Sequence, residues 1–184
     1  MNTDVFCGLD LSLTSTGTVV LHNTCELTNQ LIKTKGEDFP HSLARVEYIA
    51  DTIIGIVNTW KPVLVVVEDY FSGRNPKVII ALCELGTMVR YKLLKNGTPW
   101  ISVAPTQLKK FCYGSGGGGK ELVLKGVYKK WGIDVSSNDI ADASVLAYMA
   151  QALIRHLNHQ PQELLKYEQE VIEKILKERK VVTA

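Results

Sequence analysis

The sequence lacks the features that mark secreted, membrane-spanning and disulfide-stabilised proteins. Its first residues contain no basic region, and Asp4 and Asp10 interrupt the apolar start, so we expect no signal peptide. Its apolar runs fall far short of the roughly 20 residues that a transmembrane helix needs. The four cysteines form neither a CxxC pair nor a zinc-like pattern. We therefore expect a cytoplasmic protein with reduced thiols and no membrane partner.

Internal repeats and disordered, low-complexity segments are also lacking. With 184 residues, 46% of them hydrophobic and 22% charged, the chain is long enough for one packed core and too short for two domains of full size. We predict a main domain over residues 1–158. A charged helical extension over 159–184 would follow it, either pairing with a partner or standing as a solvated arm.

The net charge of +2 conceals an uneven distribution. Residues 1–100 hold 9 Lys and Arg against 10 Asp and Glu, whereas residues 101–184 hold 12 against 9. Within 105–135 there are six lysines and only two acids. A basic segment beside an acidic cluster suits a polyanion held next to metal ions, although a lysine-rich helix is also often just a solvated face.

The pattern of apolar residues predicts an α/β fold. Apolar, β-prone runs bounded by turn residues predict strands at 4–11, 18–21, 27–35, 63–67 and 98–103. Helical spacing predicts helices at 42–60 (capped by Ser42), 76–94, 105–113, 120–131, 138–157 and 163–180. This order describes a mixed five-stranded sheet, with three antiparallel strands followed by two parallel ones, and helices on its faces.

Two acidic residues stand at the ends of buried strands. Asp10 follows the apolar run 5–9, and Glu68 follows the apolar run 63–67. A buried carboxylate is costly to desolvate unless a cation or hydrogen-bond donors compensate it, and ligands of such sheets gather at the carboxyl ends of the strands. Asp10 could instead form a turn. Pleat alternation sends Glu68 and Asp69 to opposite faces, so we expect only one of them to enter the site, and we favour Glu68.

Asp139 and Asp142 begin a late helix. Their i,i+3 spacing places both on one side of it. The alternative is that these acids only compensate the helix dipole, with Ser137 or Asn138 as the cap, and this explains Asp139 well. It explains Asp142 less well, because alanines flank Asp142 in a helix that should face the core. Together with the two acids at strand ends, this pair predicts a shared divalent metal site and metal-assisted phosphodiester chemistry.

Residues 114–119, which we call the glycine loop, precede Lys120. The segment meets the opening of the phosphate-binding pattern GxxxxGK[ST], but Glu121 stands where magnesium binding needs Ser or Thr, and the preceding segment is predicted helical. We therefore expect no nucleotide cofactor. A mobile loop that delivers Lys120 to a phosphate is the functional interpretation, and a flexible linker is the alternative.

Two further segments offer contacts to a nucleic acid. The pattern Gly8-x-Asp10-x-Ser12, followed by Thr16 and Gly17, provides small residues that would let a phosphate approach the backbone, and Ser12 is a candidate contact. After the fourth strand, Tyr70 and Phe71 could stack on an unpaired base, with Arg74 on a phosphate. Alternatively, the two rings only cap the core.

Taken in order, these motifs resemble the RuvC-type Holliday junction resolvases of the RNase H-like superfamily. The order is an Asp in a GxDxS strand, a Glu ending the fourth strand, a lysine-bearing segment, and D-x-x-D opening a late helix. The resemblance covers roughly residues 4–155. It implies an RNase H-like sheet with helices on both faces, to which the helix after Pro161 would be an addition.

The resemblance also implies roles for individual residues. The metal-binding and catalytic acids would be Asp10, Glu68, Asp139 and Asp142. Phe71 falls where the family carries an aromatic residue that opens the junction. Lys109 and Lys120 fall where it carries basic residues at the scissile region, with Lys120 neutralising charge in the transition state and Lys110 as a further DNA contact.

The implied activity is a structure-specific endonuclease that resolves four-way junctions or other branched DNA. It would make paired nicks with 5′-phosphate ends, using two Mg²⁺ ions per active site, for which Mn²⁺ can substitute. Paired nicks imply a homodimer, with helix 76–94 as the candidate contact, although that helix could simply pack on the sheet. The location would be the cytoplasm of a bacterial cell or a phage-infected host.

The sequence departs from the family at the first motif and leaves two rival functions open. Leu11 and Ser12 follow Asp10, where the family has Pro and Gly, which indicates a divergent, phage-like branch. One rival is a junction-binding protein that does not cut, although idle acids would repel DNA. The other is an actin-like or sugar-kinase-like phosphotransferase, which needs two such domains where one fits.

Overall fold

The computed structural model describes residues 4–22, 27–70, 75–135, 137–178 and 181–183, with the side chain of Lys120 left out. The strands in this part of the chain are β1 (Val5–Asp10), β2 (Ser15–His22), β3 (Leu27–Lys33), β4 (Leu64–Glu68) and β5 (Trp100–Val103). The α-helices are α1 (Ser42–Trp60), α2 (Pro76–Lys95), α3 (Pro105–Tyr113), α4 (Lys120–Trp131), α5 (Asn138–Leu157) and α6 (Lys166–Glu178).

The strands form one mixed sheet in the order β3-β2-β1-β4-β5. β1, β2 and β3 pair antiparallel, whereas β4 pairs parallel with both β1 and β5. This confirms the predicted sheet of three antiparallel strands and two parallel ones. In the register of β1 and β4, Leu9 lies opposite Val67, so Asp10 and Glu68 come next to each other at the same edge.

The sheet is covered by helices on both faces, as predicted. Alternation along β1 sends Phe6 into the core with α5 and sends Cys7 and Leu9 into the core with α1 and α2. In β4, Leu64 and Val66 face the α5 side. Because Asp10 and Glu68 continue the same alternation, their side chains emerge on the face that α5 covers.

Helix α5 lies directly on β1 and β2 because both strands carry a glycine beneath it. A Cβ on Gly8 would come within 2.0 Å of the carbonyl oxygen of Ala143, and one on Gly17 within 2.1 Å of that of Asp139. These two glycines therefore permit close packing of the helix. The prediction that Gly8 serves the approach of a phosphate was wrong, because α5 occupies that space.

Helix α6 packs on the body of the protein, so the solvated-arm alternative was wrong. Its residues Val171, Ile172 and Ile175 are buried in the core cluster that α3, α4 and α5 share. Further along, Val182 forms an antiparallel bridge with Trp100, at the edge of the sheet. The chain folds back in this way because α6 has one apolar face to bury.

The predicted element boundaries shift by a few residues. β2 begins at Ser15 rather than at residue 18, and α6 begins at Lys166 rather than at residue 163. α1 is capped by His41, whose side chain accepts a hydrogen bond from the amide of Ala44, and not by Ser42. Among the described helices, none combines the length and the hydropathy needed to cross a membrane.

Candidate active site

Five acidic residues line one cavity at the carboxyl edge of β1 and β4, and four of them are the acids predicted from the sequence. We call Asp10, Glu68, Asp139 and Asp142 the carboxylate cluster. The cavity has a volume of about 430 Å³, and its walls also include Thr106 and Lys109 of α3 and Gly116 of the glycine loop. Three segments that are far apart in sequence thus converge, because β1 and β4 are parallel neighbours and α5 begins above their ends.

Asp10 is at the centre of the electrostatics of this cluster. Burial raises its pKa well above the ordinary value, and the negative charges of Glu68 and Asp142, a hydrogen bond with Glu68 and the charge of Asp139 raise it further. All three other acids therefore lie close enough to repel the Asp10 carboxylate. The cluster is a site of unfavourable negative charge that a cation would relieve.

Asp139 has a specific hydrogen-bond donor. The hydroxyl group of Ser15 donates to Oδ2 of Asp139 over 2.6 Å, although the two residues are 124 positions apart. Asp139 also lies in the first turn of α5, where a negative charge is favourable, and Ser137 makes no side-chain capping bond. Sequence reasoning missed Ser15, because nothing local indicates which residue β2 would bring to the start of α5.

Glu68 and Asp69 separate as the pleat alternation predicts. Glu68 forms its hydrogen bond with Asp10, whereas Oδ1 of Asp69 accepts from Arg90 of α2 over 3.5 Å. Both residues nevertheless line the cavity, so the expectation that only one of them enters the site was wrong. The pairing with Arg90 gives Asp69 a cationic partner within the protein, which makes Glu68 the better candidate for binding a metal ion.

The donor set suits a hard divalent cation. Within the described residues, no three His, Cys, Asp or Glu side chains form an assembled metal-binding group. Around this cavity, Asp10 shares a hydrogen bond with Glu68, and Ser15 donates to Asp139. Carboxylate oxygens are the ligands that Mg²⁺ and Mn²⁺ prefer, and binding a cation would remove the repulsion at Asp10.

The structure separates the two adjacent lysines of α3. Lys109 lines the cavity and donates to the carbonyl oxygen of Gly118 over 3.1 Å. Lys110 is not part of the cavity wall and instead donates to Glu170 of α6 over 2.9 Å. The side chain of Lys120 lies outside the described residues, but its backbone begins α4, at the end of the glycine loop.

The remaining predicted contacts are described only in part. Ser12 lines the cavity, and its hydroxyl group accepts hydrogen bonds from the amides of Thr14 and Ser15, which fixes the turn between β1 and β2. Phe71 and Arg74 lie outside the described residues. Their roles stay predictions.

Tyr70 forms part of the cavity wall and is held by a residue that sequence reasoning missed. The guanidinium group of Arg90 lies 4.6 Å from the centre of the Tyr70 ring and also contacts its hydroxyl group. Arg90 further donates to the hydroxyl group of Ser102 over 3.1 Å. An arginine on an amphipathic helix gives no sequence signal for such a role, because it is indistinguishable from a solvated charge.

Comparison with known proteins identifies the family. The family model described as crossover junction endodeoxyribonuclease RuvC matches residues 6–151. RuvC of Chloroherpeton thalassium is 28% identical over 112 residues, which cover 60% of this chain and 59% of that protein. RuvC of Helicobacter pylori is 34% identical over 95 residues, which cover 50% and 60%. The match thus spans about three fifths of each relative.

Solved structures agree on the fold. Thermus thermophilus RuvC in complex with a Holliday junction substrate superposes with a TM-score of 0.70 at 21% identity, covering 83% of this chain and 96% of that one. The yeast mitochondrial Holliday junction resolvase Ydc2 superposes with a TM-score of 0.56 at 14% identity, covering 94% and 85%. The RNase H-like fold expected from the sequence is confirmed, and with the family match across the strands and α5 the chain belongs to the RuvC family of crossover junction endodeoxyribonucleases.

Proposed function

We propose that this protein is an endonuclease that resolves four-way DNA junctions, and other branched DNAs, by paired hydrolysis of phosphodiester bonds that leaves 5′-phosphate ends. The observation that carries the proposal is the convergence of four carboxylates from β1, β4 and α5 on one cavity. Its support from the comparisons is membership of the RuvC family. A cluster of acids with mutual repulsion would be unfavourable for binding DNA unless cations joined it.

Nucleases of the RuvC family are metal-dependent, and we propose Mg²⁺ as the physiological cation here, replaceable by Mn²⁺, with two ions per site. The ligands would be the acids of the carboxylate cluster. Asp10, which interacts with each of the other three, would share both ions with them. When bound, such ions activate a water molecule and stabilise the oxygens of an in-line displacement.

The chain's own basic residues would hold the phosphate. Lys109 lies in the cavity wall, and the backbone of Lys120 begins α4 at the far end of the glycine loop. These positions support a role for both lysines in neutralising charge that builds on the phosphate. Tyr70 lies beside the acids, where its ring could contact a neighbouring base, and Ser12 lines the same cavity. Phe71 and Arg74 would extend this contact along the DNA.

Paired nicks require two active sites, and α2 offers a surface for a homodimer. Its residues Leu85, Val89 and Leu93 pack on the sheet, whereas Val78, Ile80 and Tyr91 are exposed. Ile80 and Tyr91, together with Leu43 of α1, border an apolar groove of about 560 Å³. An isologous dimer would bury this face and place two cavities in a two-fold arrangement.

The test is cleavage of a labelled synthetic four-way junction by the purified protein. We expect symmetric nicks with Mg²⁺ or Mn²⁺ and none with a chelator. Asp142→Asn should bind the junction in a gel-shift assay but lose nicking. Asp134→Asn makes the same change at an exposed residue that does not line the cavity and should nick like the wild type.

The outcomes separate the alternatives. A wild-type protein that shifts the junction without nicking it would favour the binding protein over the nuclease. If Asp142→Asn fails to fold, Asp142 has a structural role and its place in the carboxylate cluster must be revised. Analytical ultracentrifugation of the wild type and Ile80→Glu tests the homodimer, which the variant should dissociate.

A further inference from the structure

Helix α6 lies beyond the residues that match the family model, yet it is tied to both helices that flank the glycine loop. The family match ends at residue 151, and α6 covers Lys166–Glu178. Its apolar face joins the core cluster that contains Phe111 of α3 and Val127 of α4. An element outside the family match therefore packs on α3, which carries Lys109, and shares a core cluster with α4, which begins at Lys120.

Polar contacts connect α6 with each of these helices. Glu168, which is 1% exposed, forms an ion pair with Lys130 of α4. Toward α3, Glu170 accepts from Lys110 over 2.9 Å, and Glu178 accepts from the side chain of Gln107 over 3.4 Å. A carboxylate as deeply buried as that of Glu168 requires its partner, so the pair holds α4 at a defined distance from α6.

The start of the glycine loop lies against α6. Gly114 ends α3 with a φ of +85°, a conformation that favours glycine, and a Cβ there would be 3.5 Å from the ring of Tyr167. The Tyr167 ring thus covers the residue at which the chain turns from α3 into the loop. Without the ring, the turn at Gly114 would lose its packing partner on that side.

The loop itself closes toward the carboxylate cavity. The hydroxyl group of Tyr113 donates to the carbonyl oxygen of Gly117 over 3.0 Å, and Lys109 donates to that of Gly118 over 3.1 Å. Gly116 belongs to the cavity wall. Any displacement of α3 or of the turn at Gly114 would therefore move the loop relative to the carboxylate cluster.

We propose that α6 positions the glycine loop over the active site, with Tyr167 as the positioning residue. Tyr167 supports the turn at Gly114, whereas the pair of Glu168 with Lys130 ties α6 to the far end of α4. The effect on cleavage rests on the proposed nuclease function, whereas the effect on the order of the loop does not. Tyr167 does not line the carboxylate cavity, so it acts through the loop.

The experiment compares Tyr167→Ala with Tyr167→Phe, which keeps the ring, and with Glu173→Gln, which lies on the exposed face of α6. Hydrogen exchange of the amides of residues 114–119 is measured in each full-length protein. Junction affinity, kcat and KM are measured in parallel with Mg²⁺. We expect Tyr167→Ala to accelerate exchange of the Gly114 amide by about tenfold, since this amide donates to the carbonyl oxygen of Lys110 over 2.8 Å and must open to exchange. Its kcat should fall about tenfold with KM within about twofold, because misplacing a group near the chemistry affects the turnover step.

Each result decides the proposal. Tyr167→Phe and Glu173→Gln should match the wild type in exchange and kcat. Wild-type exchange and kcat in Tyr167→Ala would overturn the positioning role, as would equal losses in Glu173→Gln. If Tyr167→Ala does not fold, Tyr167→Leu keeps most of the apolar volume without the planar ring and is judged in the same way. If the wild type does not nick junctions, the proposed function fails, while the exchange rates still decide whether α6 orders the loop.

Discussion

The cavity at the carboxyl edge of the sheet and the junction between α4 and α6 both enclose acidic side chains. At the junction, Glu168 is buried beside Lys130, so its charge is neutralised within the protein. In the cavity, the charge of Asp10 is opposed by three other acids, and its pKa is raised. The first arrangement balances the charge within the protein. In the second, the acids repel one another, which is why we assign it to an external cation and to catalysis.

The largest effect is expected on cleavage, when an acid of the carboxylate cluster is replaced. Asp10→Asn should reduce the nicking rate on a four-way junction by at least about 10²–10³-fold, as removal of one preorganised electrostatic group does. Junction binding should persist, because the substitution removes a negative charge. Asp38→Asn, at an exposed position away from the cavity wall, is the matched control for gel-based nicking and binding assays. Undiminished nicking by Asp10→Asn would disprove the assignment of the carboxylate cluster.

At the junction between α4 and α6, the expected effect is on the stability of the fold. Glu168→Gln leaves Lys130 without its ionic partner and should lower the free energy of unfolding by about 2–3 kcal/mol. This is less than the usual cost of breaking a fully buried pair, because Lys130 keeps some contact with solvent. Urea unfolding followed by circular dichroism measures this change. Glu173→Gln should cost less than about 0.5 kcal/mol. Similar losses in the two variants would show that the pair has no special role.

Divalent cations should distinguish the regions further. At a free Mg²⁺ concentration ten times the dissociation constant, ligand linkage would raise the free energy of unfolding of the wild type by about 1.4 kcal/mol. Glu168→Gln should show the same increment, whereas Asp10→Asn should show less. Thermal melts with Mg²⁺ and with a chelator test this, and equal increments in all three proteins would mean that the ion binds elsewhere.

The smallest effect concerns the stability of the metal-free protein. Because the folded state raises the pKa of Asp10, it binds this proton more tightly than the unfolded chain does. The contribution to stability is therefore present below the ordinary carboxyl pKa of about 3.9 and is lost as the pH rises through the raised value. Asp10→Asn should remove this loss of stability at high pH, because asparagine does not ionise.

In a chelator at pH 8, Asp10→Asn should thus melt above the wild type, by about 2–4 °C for each 1 kcal/mol of repulsion removed. At pH 4 the difference should shrink, since the wild-type carboxyl group is protonated there. A melting midpoint for Asp10→Asn below that of the wild type at pH 8 would contradict the electrostatic description of the cavity.

The strands and the acids at their ends could be predicted because their signals are local. An apolar run followed by one carboxylate marks a strand that reaches solvent at a known residue, as with Glu68 in β4. Alternation along the strand then assigned Glu68 and Asp69 to different sides, and Asp69 pairs with Arg90 as that separation requires. The family resemblance built on these motifs is confirmed by the match over residues 6–151.

Contacts between distant segments could not be predicted in the same way. The hydrogen bond from Ser15 to Asp139 joins residues 124 positions apart, and neither residue has a distinctive local pattern. The packing of α5 on Gly8 was misinterpreted for the same reason, since a glycine shows where space is needed but not what will fill it. The division between Lys109 and Lys110 likewise depends on where α6 lies.

By itself, the sequence determined the order of strands and helices and the residues at their ends, because hydrophobic period and turn chemistry act over a few neighbouring positions. The sequence predicted that the four acids share a site, but only the tertiary structure decided how they meet. The parallel pairing of β1 with β4 and the close packing of α5 on Gly8 and Gly17 bring the acids together. In the same way, only the folded chain brings Lys130 of α4 to Glu168 of α6. Electrostatic energies depend on distances in space, so they are settled only when the chain is folded.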